Sequence, residues 1–421
     1  RAAKIQRLKI ALAHGQNHVV ASLLNAVPDL AAGHFGLQVA LLDVDAVRDA
    51  LADDAGLATK VAGNRRPMLH LAFSKVIHLW PERHDAMLQI AQMLVDHGAD
   101  VNDSYRDGGG PLTAVYGAIG HADNMALGQW LLDRGANPND GESLYHATEL
   151  GHTRGLALLL SHGAKPKGTN ALLRAMDSND AAMVRMLLDA GADPNEGGDA
   201  LHHAALRQVS DEICVMLLDA GADPARESRW TSPYAYARVM GHKGLADMIA
   251  QRTTVAALSK EEDLLALAAE GRVPDGTYLD EAQLPPAYAH IIREILHLPG
   301  KLDHVKALVA LGLFYDKPDA LGLPPVQIAG WEGLPDVMGY FLKLGPDLSH
   351  VNSYGGTLLS TIVHGSENNP ERAGRDYLGC ARMVLEHGVA LPRRMPELAG
   401  EPEIAAFLRD WAARYPGQVV D

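Results

Sequence analysis

Along most of the chain, short apolar blocks with helical spacing alternate with polar breaks that contain glycine. One ending recurs: MLVDHGADVN (93–102), LLDRGANPN (131–139), LLSHGAKPK (159–167), LLDAGADPN (187–195), and LLDAGADPA closing at Ala225. Each predicts the last turns of an amphipathic helix. A glycine suited to the left-handed C-terminal position stops it, and in all but the first copy a proline keeps it from resuming. Upstream of each ending lies a shorter apolar unit, as in SLYHATELGH, ALLRAMDSND, ALHHAALRQV and SPYAYARVMGH. Ala147, Ala175, Ala204 and Ala237 fall in register there, where a neighbouring helix must come close. The pattern therefore predicts an all-α solenoid built from helix, tight turn, helix and glycine-stopped loop. Asn170, Asp199 and Ser232 stand where N-caps belong, and Leu144, Leu172 and Leu201 are expected to point into the stack.

With RPMLHLA (66–72), TSPYAYARVMGH (231–242), GLPPVQIAGWEG (322–333) and the repeated LL-x-x-G-A-D-P-N, the chain resembles the ankyrin-repeat family. The form it resembles is bacterial, with several shortened repeats. The resemblance implies about ten helix-turn-helix units. It is strong over 65–250, returns over 322–421 with a final capping helix, and is weak over 1–64 and 251–321. The first of these weak regions is read as an N-terminal helical cap with divergent repeats and the second as divergent helical repeats. Gly135, Gly163 and Gly191 follow one another at 28 residues, and Gly221 comes 30 later. These repeats are shorter than the family period of about 33 residues. The missing residues fall in the connections, so β-hairpin fingers are expected to be shortened or absent there. Two inserts, SKVIHLWPERHD (74–85) and HGSENNPERAGRD (364–376), separate a first helix from its second.

The position before the small alanine holds His146, Arg174, His203 and Tyr236 in four successive repeats. Three residues on, along the same helical face, come Glu149 and Asp177, with Leu206 and Arg207 one repeat further. In the family this face lines a concave groove, the usual binding surface. Tyr145 stands where the motif has histidine, and Trp331 and Glu332 occupy the equivalent groove positions of a later repeat. Candidate contact residues are therefore Tyr145, His146, Glu149, Arg174, Asp177, His203, Arg207, Tyr236 and Trp331. Packed helices lie about 8–10 Å apart, so His146 and His203, two repeats apart, span roughly 16–20 Å. That is too far to share one metal ion. Arg174 between them suits a carboxylate or phosphate better. His70, His202 and the Gly-His residues His121, His152 and His242 are assigned to the scaffold.

Composition narrows the choice. A net charge of −15 with no basic run disfavours nucleic acid, and no apolar stretch approaches the length of a membrane span. Cys214 and Cys380 form no disulfide or zinc pattern, which fits the cytoplasm. The glycines of DGGGP (107–111) are read as a turn. The first expectation is a monomeric binding protein that recognises a protein partner through the groove, on exposed apolar residues such as Leu150, Leu206, Met240 and Trp331. The alternative is an enzyme or a binder of an anionic small molecule, with its site between about residues 140 and 240. In that version His146 or His203 is the acid/base, Glu149 its partner, and Arg174 the anion holder. Tyr145 or Tyr236 donates a hydrogen bond, and neither metal nor cofactor is needed.

Overall fold

The computed structural model describes residues 1–197 and 199–421. Its regular elements are mostly helices, and it divides into two compact units, residues 1–200 with 215–222 and residues 201–214 with 223–421.

The first unit is a succession of helix pairs. Ala2–Ala13 pairs with Asn17–Ala26, Phe35–Ala40 with Val44–Asp53, and Pro67–Ala72 with His84–Asp96. Ala114–Tyr116, continued by a wider turn over Gly117–His121, pairs with Met125–Asp133. Ser143–Ala147 then pairs with Arg154–Ser161, and Ala171–Asp177 with Ala181–Asp189. From Phe35 onward, first helices pack on first helices and second on second, as a solenoid requires. Leu156, Leu159, Val184 and Leu187 of the second helices are fully buried, as are Ala147 and Ala175 of the first. Gly128 allows one close approach, since a methyl group there would lie 2.4 Å from Ile119 Cγ1.

The recurrent endings work as their residues predict. Gly163 takes φ +86°, its N–H donates to Leu160 O, and the Ala164 N–H donates to Leu159 O. This closes the helix with a Schellman motif. The asparagine of the repeated ending ties each loop to the next. Asn139 donates to Gly163 O and accepts from the Lys165 N–H, and Asn195 donates to Gly221 O.

Shortening of the connections is visible in the strands. Ser104–Arg106 and Pro111–Thr113 form an antiparallel hairpin, with Tyr105 opposite Leu112 and 107–110 as its turn. Between residues 135 and 200 the described residues contain no strand. Ser232 accepts from the Ala235 N–H as an N-cap should. Asn170 departs from its expected role: it lies at φ +59° without a side-chain cap, and the Thr169 hydroxyl takes the Ala171 N–H instead. The insert 74–85 folds into two 3-10 turns. Buried Val76 joins the cluster of the N-terminal helices, and Leu79 and Trp80 pack against it.

In the second unit Pro233–Met240 pairs with Lys243–Arg252, Pro325–Trp331 with Pro335–Lys343, Leu358–Asn368 with Tyr377–Glu386, and Met395–Leu398 with Pro402–Arg414. Between them, Lys260–Ala269 packs on Pro233–Met240 as a first helix, and Leu302–Ala310 packs on it as its second. Residues 270–301 therefore form a third insert between paired helices, which sequence reading passed over. The signal was present: KALVALG (306–312) is another glycine-stopped ending, with Gly312 at φ +99°.

Candidate functional site

In the first unit, the half-buried faces of two successive first helices carry a connected set of polar side chains. Helix Ser143–Ala147 buries Leu144 and Ala147, which turns Tyr145 and His146 outward. Helix Ala171–Asp177 buries Leu172, Ala175 and Met176 and presents Arg174 and Asp177. His146 Nδ1 lies 2.7 Å from Glu149 Oε2, and Nε2 lies 3.4 Å from Glu142 Oε2. Arg174 donates from Nε to Glu149 Oε1 at 2.9 Å and from Nη1 to Asp177 Oδ2 at 3.2 Å. Glu149 thus bridges the two helices.

The electrostatics agree with this geometry. Burial pushes the Glu149 carboxyl up, but the bonds from His146 and Arg174 outweigh it and hold the group below its ordinary value. Burial opposes the Arg174 charge in the same way, and Glu149 with Asp177 more than restores it. Two members of the set were missed by sequence reasoning. Tyr116 of the preceding first helix packs its ring on His146, with centroids 4.9 Å apart. Burial, then the charges of Glu142 and Glu149, raise its hydroxyl pKa. Glu142 is the other. Both lie in segments of ordinary repeat grammar, TAVYGAIGH and GESLYHA, where nothing local marks them out. Tyr145 sets its ring edge-on to His146, with centroids 5.0 Å apart. The loop bonding at this helix start is carried by Asp140, which accepts from the Thr113 and Ser143 hydroxyls and two backbone N–H groups.

The other predicted residues belong to the second unit. On helix Ala200–Arg207, His203 is half-buried and Arg207 exposed. Arg207, Arg229 and Arg293 act on Glu294, whose carboxyl pKa burial nevertheless raises. Tyr236 does not line an open face. It is 4% exposed, with its ring stacked on Tyr288 at 5.9 Å between centroids. Tyr288 comes from the third insert, and its hydroxyl is held by Glu262 Oε1 at 3.1 Å and Thr231 Oγ1 at 2.8 Å. The insert roofs the position that leaves His146 and Arg174 open in the first unit. Met240, expected to be exposed, is fully buried, while Leu150, Leu206 and Trp331 are half-buried. Trp331 lies against the His364 ring at 5.4 Å, and its carbonyl accepts from Asn369 Nδ2 and the Tyr377 hydroxyl, both at 3.0 Å. This anchors the insert 364–376.

Four of the five histidines assigned to the scaffold hold loops or helix ends by hydrogen bonds. His70 donates to Ala62 O and His202 to Thr231 O, and His152 bonds Asp123. His242 caps its helix through Nδ1 and reaches Val209 O through Nε2 at 2.8 Å. Burial lifts the Cys214 thiol to about 12, so it is no nucleophile at neutral pH. Among the described residues no group of three His, Cys, Asp or Glu side chains is arranged for a metal ion. No helix among them is long and apolar enough to cross a membrane.

Comparison with known proteins bears on the repeats. A family described as "Ankyrin repeats (3 copies)" matches residues 114–197 and 144–228. Among solved structures, the human ASB11 ankyrin repeat domain is 20% identical with a TM-score of 0.41, covering 53% of this chain and 100% of that one. The ankyrin repeat domain of Bcl-3, a member of the IkappaB protein family, is 23% identical at TM-score 0.41, covering 52% and 97%. No curated protein matches the chain. The glycine-stopped helix pairs of residues 114–228 are ankyrin repeats.

Proposed function

We propose that this chain is a protein-binding scaffold whose first unit offers the strip Tyr145, His146, Glu149, Arg174 and Asp177 to a protein partner. The observation that carries the reading is the bridge from His146 through Glu149 to Arg174. It holds half-exposed polar and aromatic side chains in one arrangement on two successive helices, so little side-chain entropy is lost when a partner docks. Ankyrin repeats favour the same reading by analogy of fold.

Binding fits this arrangement better than acid/base catalysis or capture of an anion. Both His146 ring nitrogens face carboxylates, whereas an acid/base ring needs one nitrogen turned to substrate. Arg174 is engaged by two carboxylates that an incoming anion would have to displace. In the second unit, taken by itself, His203 and Arg207 are candidate contacts. Tyr236 could contribute only if Tyr288 moved away.

The test places a photo-crosslinking amino acid at Tyr145 and, as a control, at exposed Ala157 on the second helix of the same repeat. Irradiation in source-cell lysate should give a discrete protein adduct from position 145, absent from position 157 and reduced about tenfold by Arg174→Glu. Equal labelling from both positions, or adducts indifferent to Arg174→Glu, overturns the proposal.

A further inference from the structure

The first unit contains a cavity of about 650 Å³ whose lining includes none of the strip residues, between helix Ala2–Ala13, helix Phe35–Ala40 and the start of the third helix pair. Its volume falls in the range that takes a single small organic molecule. Ile10, Leu12, Phe35, Leu37 and Phe73 give it apolar walls, and Ile10 is 46% exposed at its edge. Gly36 sits between this wall and the next helix, since a methyl group there would come within 2.9 Å of the His70 ring.

The charges around this apolar space run against the rest of the chain. In a protein of net charge −15, the cavity is lined by Lys9 and Arg65 with His14 and His34, and by a single acid, Asp107. Neither Lys9 nor Arg65 is ion-paired among the described residues. Arg65 is nonetheless rigidly placed. Its guanidinium lies over the Phe73 ring at 4.2 Å and the Tyr105 ring at 4.4 Å, and it donates to the Tyr105 hydroxyl. Its Nε is buried and meets no acceptor. A buried N–H without a partner costs about 1–3 kcal/mol, so its retention calls for an explanation. His70 lines the same cavity, and burial, aided by the charges of Arg65 and Lys9, holds its pKa below the ordinary value.

We propose that this cavity binds an organic anion with an apolar body, of the alkyl or aryl carboxylate class. The tail lies against Phe35, Leu37 and Ile10, and the carboxylate lies between Arg65 and Lys9. Apolar walls alone would accept a neutral alcohol equally well, and a cationic rim alone would accept acetate. The combination selects for both parts in one molecule. A half-open space of about 650 Å³ takes one such molecule.

The experiment titrates the full chain by calorimetry at pH 7 with decanoate, decanol, decyltrimethylammonium and acetate, each below its aggregation threshold. Decanoate should bind about tenfold tighter than decanol, with no heat from acetate or the quaternary amine. Arg65→Met should weaken decanoate about tenfold, and Lys9→Glu, on an exposed helix face, at least threefold. Decanol affinity should stay unchanged in both, with circular dichroism confirming an intact fold. Equal affinities for decanoate and decanol, indifference to both substitutions, or no binding of decanoate overturns the assignment. Binding that appears only with anionic vesicles and not with free decanoate also overturns it. None of these outcomes bears on the strip at Tyr145.

Discussion

The two units obey the same repeat grammar and differ in what their inserts do with it. In the first unit the short insert 74–85 packs into the apolar cluster of the terminal helices, and the faces of the first helices at His146 and Arg174 stay half open. In the second unit the longer insert 270–301 lays Tyr288 on Tyr236, and the same register position becomes interior. The loops differ as well. Trp230 is 81% exposed, and Tyr278, Phe314 and Tyr354 stand exposed on connecting loops of the second unit. The clipped connections of the first unit carry no large exposed aromatic among the described residues. A repeat position therefore has no fixed fate. Whether a side chain at this register serves as surface or as core depends on what the inserts bring over it.

The sharpest way to break this contrast is Tyr288→Ala. If the roof depends on this ring, its loss should cost about 3–5 kcal/mol, the range for truncating a buried aromatic. Hydrogen exchange should then rise across 233–240 while 171–189 keeps its protection. A cost below about 1 kcal/mol by denaturant titration would mean that Tyr236 is buried by something else.

A smaller effect is expected at His304, also in the second unit. It is 3% exposed, neither ring nitrogen has a partner, and burial with the nearby Lys301 charge lowers its pKa to about 3. His304→Leu should stabilise the protein by about 1–2 kcal/mol at pH 7, because a buried unpaired polar group is removed. The pH dependence has a definite sign. The unfolded histidine takes up a proton near its ordinary 6.5, while the folded one resists until about 3. The unfolded state therefore binds more protons in that window, and native stability falls as pH drops through it. The leucine variant should lose less stability on acidification between those values. An unchanged acid limb would remove the argument.

The smallest effect belongs to the open strip. Arg174→Met should cost about 1 kcal/mol or less, since the pairs it breaks are half exposed. NMR titration gives the clearer readout. The Glu149 carboxyl should titrate below 4.5 in the wild type and move upward in the variant. Because the folded value is depressed, its stabilising contribution is present above 4.5 and is lost as pH falls through the folded value. A Glu149 midpoint unaffected by Arg174→Met would show that the bridge does not hold in solution.

Much of this was legible in the residues. The glycine stops, the small in-register alanines and the clipped connections from 135 to 200 all follow from local rules. So does the outward placement of His146 and Arg174, because burying Leu144 and Ala147, or Leu172 and Ala175, leaves only one direction for their neighbours. The role of Asn170 was misjudged because asparagine serves equally as an N-cap and as a left-handed residue, and Thr169 was available to cap in its place.

By itself the sequence determined the helix pairs, their ends and their neighbour-to-neighbour stacking. These depend on contacts a few residues apart or one repeat away, where spacing is a faithful guide. Tertiary structure alone decided which first-helix positions are covered, and that residues 260–310 make one interrupted repeat. Tyr236 and Tyr288 meet across an insert that follows no repeat spacing. Periodicity carries no information about such pairs, because the free energy that joins them is gained only after the intervening chain has folded.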